Sequence, residues 1–496
     1  MAKDHLLPPL RLALASAWLA SGAFPLRAQA PMAPAQNDHE EVQQLKRMVM
    51  DLESRVAALE RQNAALSGDP TVTGASGPQA AAELTTAATE LKSGSDTGPV
   101  ASQAGTSTPA PPAAAPSILP ETLPGGATLN YTFDGYYEYN FNHPPGRVND
   151  LRAYDVLSNA FSINQAGMIF DLDPDLVAKR RYGLRLDLQF GQATETLQGN
   201  PANEPRPEIY RNIFQAYGSY IAPLGHGLDI DVGKWASSLG VEGNYTKDQM
   251  NYSRSFYFDF LPFYHAGVRA SYPINPKLTF NYWLVNGTNQ SEPTNGYKDE
   301  LFGYVLQPAK SLSWTMNYYL GQDHPDVTPA ANCPVPVQPG LCLAPITPAP
   351  NGKLHIFDSY ATWQASAKLT LQAEADYFIE RQWANAAPGE SSAPAHVMGG
   401  VGYLQYHFSP RADLAFRGEY LSDRGGLFSG TTQALKEGTA TYEYKFGDGF
   451  DTFLEFRRDW SNRPYFQTDQ PTSPSSQQPT ATLGLVWWYG GKQGTW

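Results

Sequence analysis

From Ala127 onward, apolar and polar side chains alternate residue by residue in segments of roughly ten, the period of an extended strand with two unlike faces. In YGLRLDLQFG (Tyr182–Gly191), Leu184, Leu186, Leu188 and Phe190 take one face and Arg185, Asp187 and Gln189 the other. KLTLQAEADYFIE (Lys368–Glu380) repeats the pattern, with Leu369, Leu371, Ala373, Ala375, Tyr377 and Ile379 opposite Thr370, Gln372, Glu374, Asp376 and Glu380. Ala412–Leu421 and Gly438–Gly447 obey the same rule.

The connections sort by length. Short turns (APLGHG, INPK, PAKS, SAK, SPR, GDG) alternate with long polar stretches at Gln192–Arg211, Ser237–Leu261, Asn286–Glu300, Gln322–Lys353, Gln382–His396 and Asp459–Pro479. A soluble sandwich has no reason to segregate its loops in this way. A membrane-spanning barrel does, with tight turns on one side and long loops on the other. The pattern therefore predicts an all-β fold, a transmembrane antiparallel β-barrel of about 16 strands over residues 127–496, both barrel ends lying on the short-turn side.

The first residues follow other rules. Lys3 and Arg11 flank an apolar run, LALASAWLASGAF, and AQA at Ala28–Ala30 supplies small residues for cleavage, so 1–30 is expected to be a signal peptide. Val42, Leu45, Val49, Leu52, Val56, Leu59, Asn63 and Leu66 recur at alternating spacings of three and four, predicting a short α-helical coiled coil over 38–66. Val at a with Leu at d favours two strands, whereas RVAALE (Arg55–Glu60) is similar to the pattern of trimeric coiled coils. Residues 67–126, rich in Ala, Pro, Gly and Ser, cannot build a packed core and read as a linker.

Aromatic residues make up 12% of the chain and charged residues only 17%. Tyrosines gather near strand ends, as in FDGYYEYNF (Phe133–Phe141), where amphipathic rings suit a headgroup zone. The C-terminal stretch TATLGLVWWYGG carries Thr482, Gly484, Trp487 and Tyr489 at polar-x-Gly-x-x-aromatic-x-aromatic spacing. This resembles the signal that barrel-assembly machinery reads in the last strand of outer-membrane barrels. The terminal Trp496 falls outside that alternation and belongs to a tail.

One block narrows the resemblance. NYSRSFYFDFLPFYHAGVRASYPI (Asn251–Ile274), LTFNYWLVNGTN (Leu278–Asn289) and DIDVGKWASSLGVE (Asp229–Glu242) are similar to the beta-barrel porins of the OmpL-like type. The resemblance implies an outer-membrane porin: passive diffusion of small hydrophilic solutes or ions through a water-filled barrel, outer-membrane lipid as its surround, and a homotrimer as its assembly. The coiled coil and linker are additions that such a barrel does not require. They leave a second reading open, a largely closed barrel anchoring an envelope tether.

The formal net charge of −13 at pH 7, without a basic run, argues against nucleic acid. No Gly-x-Ser-x-Gly elbow or His-x-x-x-His spacing occurs, and DLDPD (Asp171–Asp175) lacks the glycine and spacing of a calcium loop. No catalytic residue, cofactor or metal is therefore expected. Strand parity places Arg185, Asp187, Arg211, Asp229, Asp231, His265, Arg269, Glu374, Asp376, Glu380, Arg417, Glu419, Glu443 and Lys445, with Glu455 and Arg457, toward the pore. Acids outnumber bases in that set, which predicts a cation preference. A single bulge would flip any of these assignments. The only two cysteines, Cys333 and Cys342, lie in a Pro-rich loop of an exported chain and are expected to form a disulfide.

Overall fold

The structure, a computed structural model, describes residues 123–198, 204, 206–329, 343–345, 352–381, 393–447 and 449–491. The expected signal peptide, the coiled coil, almost all of the linker, both cysteines and Trp496 lie outside the described residues.

Sixteen antiparallel strands close into one barrel. In chain order they are β1 (Thr128–Asn140), β2 (Ala160–Leu172), β3 (Tyr182–Phe190), β4 (Ile213–Ala222), β5 (Leu228–Ala236), β6 (Tyr264–Asn275), β7 (Leu278–Val285), β8 (Asp299–Ala309) and β9 (Leu312–Gly321). After a two-stranded hairpin within a long loop, β10 (Val327–Pro329) and β11 (Leu343–Pro345), come β12 (Leu354–Ser366), β13 (Leu369–Arg381), β14 (Pro394–Ser409) and β15 (Ala412–Arg424). The last three are β16 (Gln433–Gly447), β17 (Phe450–Ser461) and β18 (Gln477–Gly490). Every barrel strand pairs with its sequence neighbours, and β18 returns to β1. No edge is left, as hydrocarbon requires of any strand that crosses it.

Two features qualify the loop rule. The connection 173–181 is among the longest on the short-turn side, drawn tight by the Asp175–Arg180 bridge, while 425–432 is the shortest on the other. In β2 the pairing with β1 slips one residue, so that Asn164 and Gln165 are both buried on the inner side.

Burial is inverted relative to a soluble protein. Phe161, Leu184, Val232, Phe302 and Trp487 point outward and are exposed, while Asp134, Glu138, Arg185, Asp187, Glu374, Arg417 and Arg457 are buried within. The predicted last-strand signal sits at the closing seam, where Trp487 pairs with Phe133 and Tyr489 with Tyr131, and Thr482 and Gly484 occupy the alternate register positions. On the long-loop side, Arg206 and Tyr210 both bond to Glu292, fastening the loop after β3 to the loop after β7. The Arg206 hydrogen bonds hold the Glu292 carboxyl below the usual carboxylate range.

Candidate functional site

The third long connection, residues 237–263 between β5 and β6, folds into the barrel instead of standing outside it. The reason is visible in its backbone. Extended and turning chain inside a barrel has no neighbouring strand to bond, and orphaned N–H groups are costly. Carboxylates projecting from the wall supply the acceptors. Asp358 on β12 accepts Gly240 N–H at 3.2 Å, and Glu374 on β13 accepts Val241 N–H at 2.8 Å. Glu455 on β17 takes the N–H groups of Tyr252 and Ser253 at 2.7 and 3.1 Å. Glu419 on β15 takes those of Phe256 and Tyr257 at 2.9 and 3.0 Å, at the start of a helical turn, Phe256–Phe260, whose Ser255 side chain caps Phe258 N–H. Gly240 adopts φ +82°, where a side chain would meet Leu261 at 2.9 Å, so only glycine fits.

Side chains extend the same attachment. Tyr252 and Thr246 hydroxyls both donate to Asp134 on β1, at 2.6 Å each, and Tyr245 donates to Asp187 on β3 at 2.5 Å. Two guanidinium groups act in the opposite sense, donating to segment carbonyls. Arg417 bridges Ser253 O to Glu437 and Glu242, and Arg457 reaches Arg254 O while pairing with Asp459. Asn317 and Tyr360 donate to Ser238 O. The segment is thus tied to β1–β3, to β9–β13 and to β15–β17.

Apolar packing fills one sector. Phe256, Tyr257, Leu239 and Leu261 join Trp235, Trp283, Ile356, Phe378, Val397, Leu421 and Leu435 in one buried cluster. These wall residues stand toward the long-loop ends of their strands, on the side that parity reserves for polar groups.

One space left beside the segment is polar. A cavity of about 290 Å³ lies between the segment (Lys247, Asp248, Gln249) and the wall (Gln372, Gln405, Glu443, Lys445), nearer the short turns. It offers both charge signs, and Lys445 is held by Asp413 at 2.8 Å and Glu443 at 3.5 Å.

Residues 127–487 match the family model described as "Putative beta-barrel porin-2, OmpL-like". The chain belongs to this family. No curated protein matches it. Among solved structures it is similar to the outer-membrane expressed OmpT of Vibrio cholerae, at 9% identity and a TM-score of 0.45, over 73% of this chain and 97% of that one. It is also similar to the anion-selective porin from Comamonas acidovorans, at 8% identity and TM-score 0.46, over 73% of this chain and 99% of that one. A third is Salmonella typhi OmpF in complex with daunomycin, at 13% identity and TM-score 0.41, over 73% of this chain and 97% of that one. Family and barrel are those of an outer-membrane porin.

Within this OmpL-like porin, the residues singled out by parity have separate surroundings. Arg185 pairs with Asp187 at 2.9 Å and Asp171 at 3.3 Å. Arg269 pairs with Asp231 at 2.6 Å and lies over the rings of Tyr217 and Trp235; Asp229 is next but one to Asp231 on β5. Glu374 and Asp376 come together with Asp358, and Glu380 stands four residues further along β13. Arg417, Glu419, Glu455 and Arg457 hold the segment, and only Glu443 and Lys445 of the set line the cavity.

One placement differs from the parity reading. Arg211 is not on a strand; it precedes β4 and pairs with Glu195 and Glu208 in the loop. His265 is on the inner side of β6, where parity puts it, and is fully buried, bonded to Ser237 Oγ and Gly287 O at 3.2 Å each and packed against Trp283 and Tyr319. Parity alone missed Asp134, Asp358, Glu437 and Asp413, all on strands whose alternation could have flagged them. It also missed Glu242 and Arg254, which lie in the folded-in segment where no period applies.

Proposed function

We propose that this barrel lets small hydrophilic solutes and ions diffuse passively across the outer membrane, with a preference for cations. The observation that carries this reading is the polar cavity beside a segment tied across the lumen, an arrangement that selects by size and field with no covalent step. The cation preference rests on unequal pairing. The strand bases expected to face the pore each have an acid: Arg185 with Asp187, Arg269 with Asp231, Arg417 with Glu437, Arg457 with Asp459, Lys445 with Asp413. Asp358, Glu374 and Asp376 form no ion pair with a basic side chain among the described residues. A narrow lumen focuses that surplus.

In this reading the chain is exported through a cleaved signal peptide, inserted by the barrel-assembly machinery and assembled as a homotrimer, with the coiled coil in the periplasm. The tethering alternative has one observation in its favour: the segment reaches three separate sectors of the wall, which suits a largely closed barrel. Planar bilayers separate the two. Discrete conductance steps, with a reversal potential of cation-selective sign under a potassium chloride gradient, are expected. Absence of steps would favour the anchor. An anion-selective sign would move attention to Arg185 and Arg269 as the dominant charges.

A further inference from the structure

Asp358, Glu374 and Asp376 place one carboxylate oxygen each within 4.8 Å of one another, and all three residues are buried. The strand register brings them together. Asp358 and Asp376 face each other across β12 and β13, and Glu374 is the next inward residue of β13. Like charges directly opposite on adjacent strands repel, and a buried charge without compensation is costly. Part of the trio is compensated by dipoles. Asp358 accepts Gly240 N–H and the Asn317 amide, the latter at 2.7 Å, and Glu374 Oε2 accepts Val241 N–H.

Asp376 is different. It is 5% exposed, and neither of its oxygens receives a hydrogen bond from any group outside the trio among the described residues; Glu374 Oε1 is likewise unbonded. Arg417, two strands along on β15, is engaged with Glu242 and Glu437. An acidic carboxylate aimed at two others, with no donor of its own, calls for a positive charge at their centre.

We propose that these three carboxylates bind a single calcium ion at the root of the folded-in segment. The donor set is hard oxygen alone, which suits calcium or magnesium rather than zinc or copper. Size favours calcium. Three oxygens evenly placed at about 2.4–2.6 Å from a common ion lie about 4.2–4.5 Å apart, close to the 4.8 Å within which these side chains already hold theirs. Magnesium would need a near-ideal octahedron at about 2.0–2.1 Å, with adjacent oxygens only about 2.9 Å apart, a tighter closure of the three side chains. Carboxylate oxygens keep free lone pairs while accepting one hydrogen bond, so Asp358 and Glu374 serve the ion and the segment backbone together. Lumen water completes the shell. The ion neutralises two of the three negative charges and leaves one to the lumen's acidic surplus, so the cation preference should be stronger in the chelated barrel than in the calcium-loaded one; the Gly240 and Val241 N–H dipoles face the remaining charge. Calcium therefore fastens the segment where it leaves β5.

The test uses the full chain extracted in detergent and stripped with chelator, so binding is read whether or not the barrel conducts. Calcium titration by calorimetry at pH 7.5 should show one site that Asp376→Asn loses or weakens by at least about tenfold. Glu195→Gln, which removes one negative charge from the outer loop, should leave that site unchanged. Terbium supplies a readout on the unaltered chain. Tyr360, opposite Glu374 in the register, should sensitise its luminescence, and calcium should quench it by displacement. Asp376→Asn changes no ladder bond, and its heat-modifiable mobility on gels verifies the barrel. The proposal is overturned if the unaltered chain binds no calcium and sensitises no terbium. It is equally overturned if Asp376→Asn, folded by the gel criterion, binds calcium as the unaltered chain does.

Discussion

Removing the Glu455 carboxylate should loosen the folded-in segment without loosening the barrel. Glu455 accepts Tyr252 and Ser253 N–H at 2.7 and 3.1 Å and the Thr441 hydroxyl at 2.7 Å. Glu455→Ala leaves two buried backbone donors without acceptors, at about 1–3 kcal/mol each. Taking the lower end for each donor gives about 2 kcal/mol in total. At about 1.4 kcal/mol per factor of ten, the detached population of this stretch rises roughly 30-fold. Other anchors remain, because Tyr252 still donates to Asp134, and Phe256 and Tyr257 to Glu419. The double variant Glu419→Ala/Glu455→Ala should therefore cost about 4 kcal/mol or more, with coupling between adjoining anchors. The ladders of β15 and β17 are backbone bonds and are untouched. Single-channel recording should show larger and noisier conductance for the double variant than for the unaltered barrel, with heat-modifiability preserved. Identical step size and open-state noise would refute the claim that wall carboxylates hold the segment in place.

Three further outcomes are expected. Alkylation of unreduced protein followed by mass spectrometry should label neither Cys333 nor Cys342; two labelled thiols would exclude the disulfide. Replacing Trp487 and Tyr489 with Ala should lower the amount of heat-modifiable barrel in the membrane, because these side chains pair with Phe133 and Tyr131 at the closing seam, whereas damage from Trp496→Ala alone would move the assembly signal to the terminus. Deleting Glu40–Leu66 should leave cross-linked barrel trimers intact, and dimers of the isolated helix would show its Val/Leu seam prevailing over RVAALE.

The lumen wall was legible wherever the strand period was unbroken. Arg185 and Asp187, Glu374 and Asp376, Arg417 and Glu419 fall inward by counting in twos. The reading stops where a residue leaves the pleat. Arg211 belongs to a loop, where parity has no meaning. In β2 one extra residue turns both Asn164 and Gln165 inward. Phe378 shares the inner face with Glu374 and Asp376, and its apolar ring is accounted for by Phe260 of the folded-in segment, packed against it with ring centroids 4.4 Å apart.

Sequence alone determined the barrel, its approximate strand number, the sorting of its loops and the face of most side chains. All of these follow from the pleat, the two-residue repeat and the need to leave no backbone group unbonded in lipid. Tertiary structure decided which loop enters the lumen and which carboxylates meet. Residues 237–263 are polar and aromatic, like several of the other long connections, and nothing local marks them as inward. They enter because Asp134, Asp358, Glu374, Glu419 and Glu455, distant in sequence, converge on their N–H and hydroxyl groups. The Asp358–Glu374–Asp376 cluster joins two strands through their pairing, and register is a property of the closed sheet rather than of either strand.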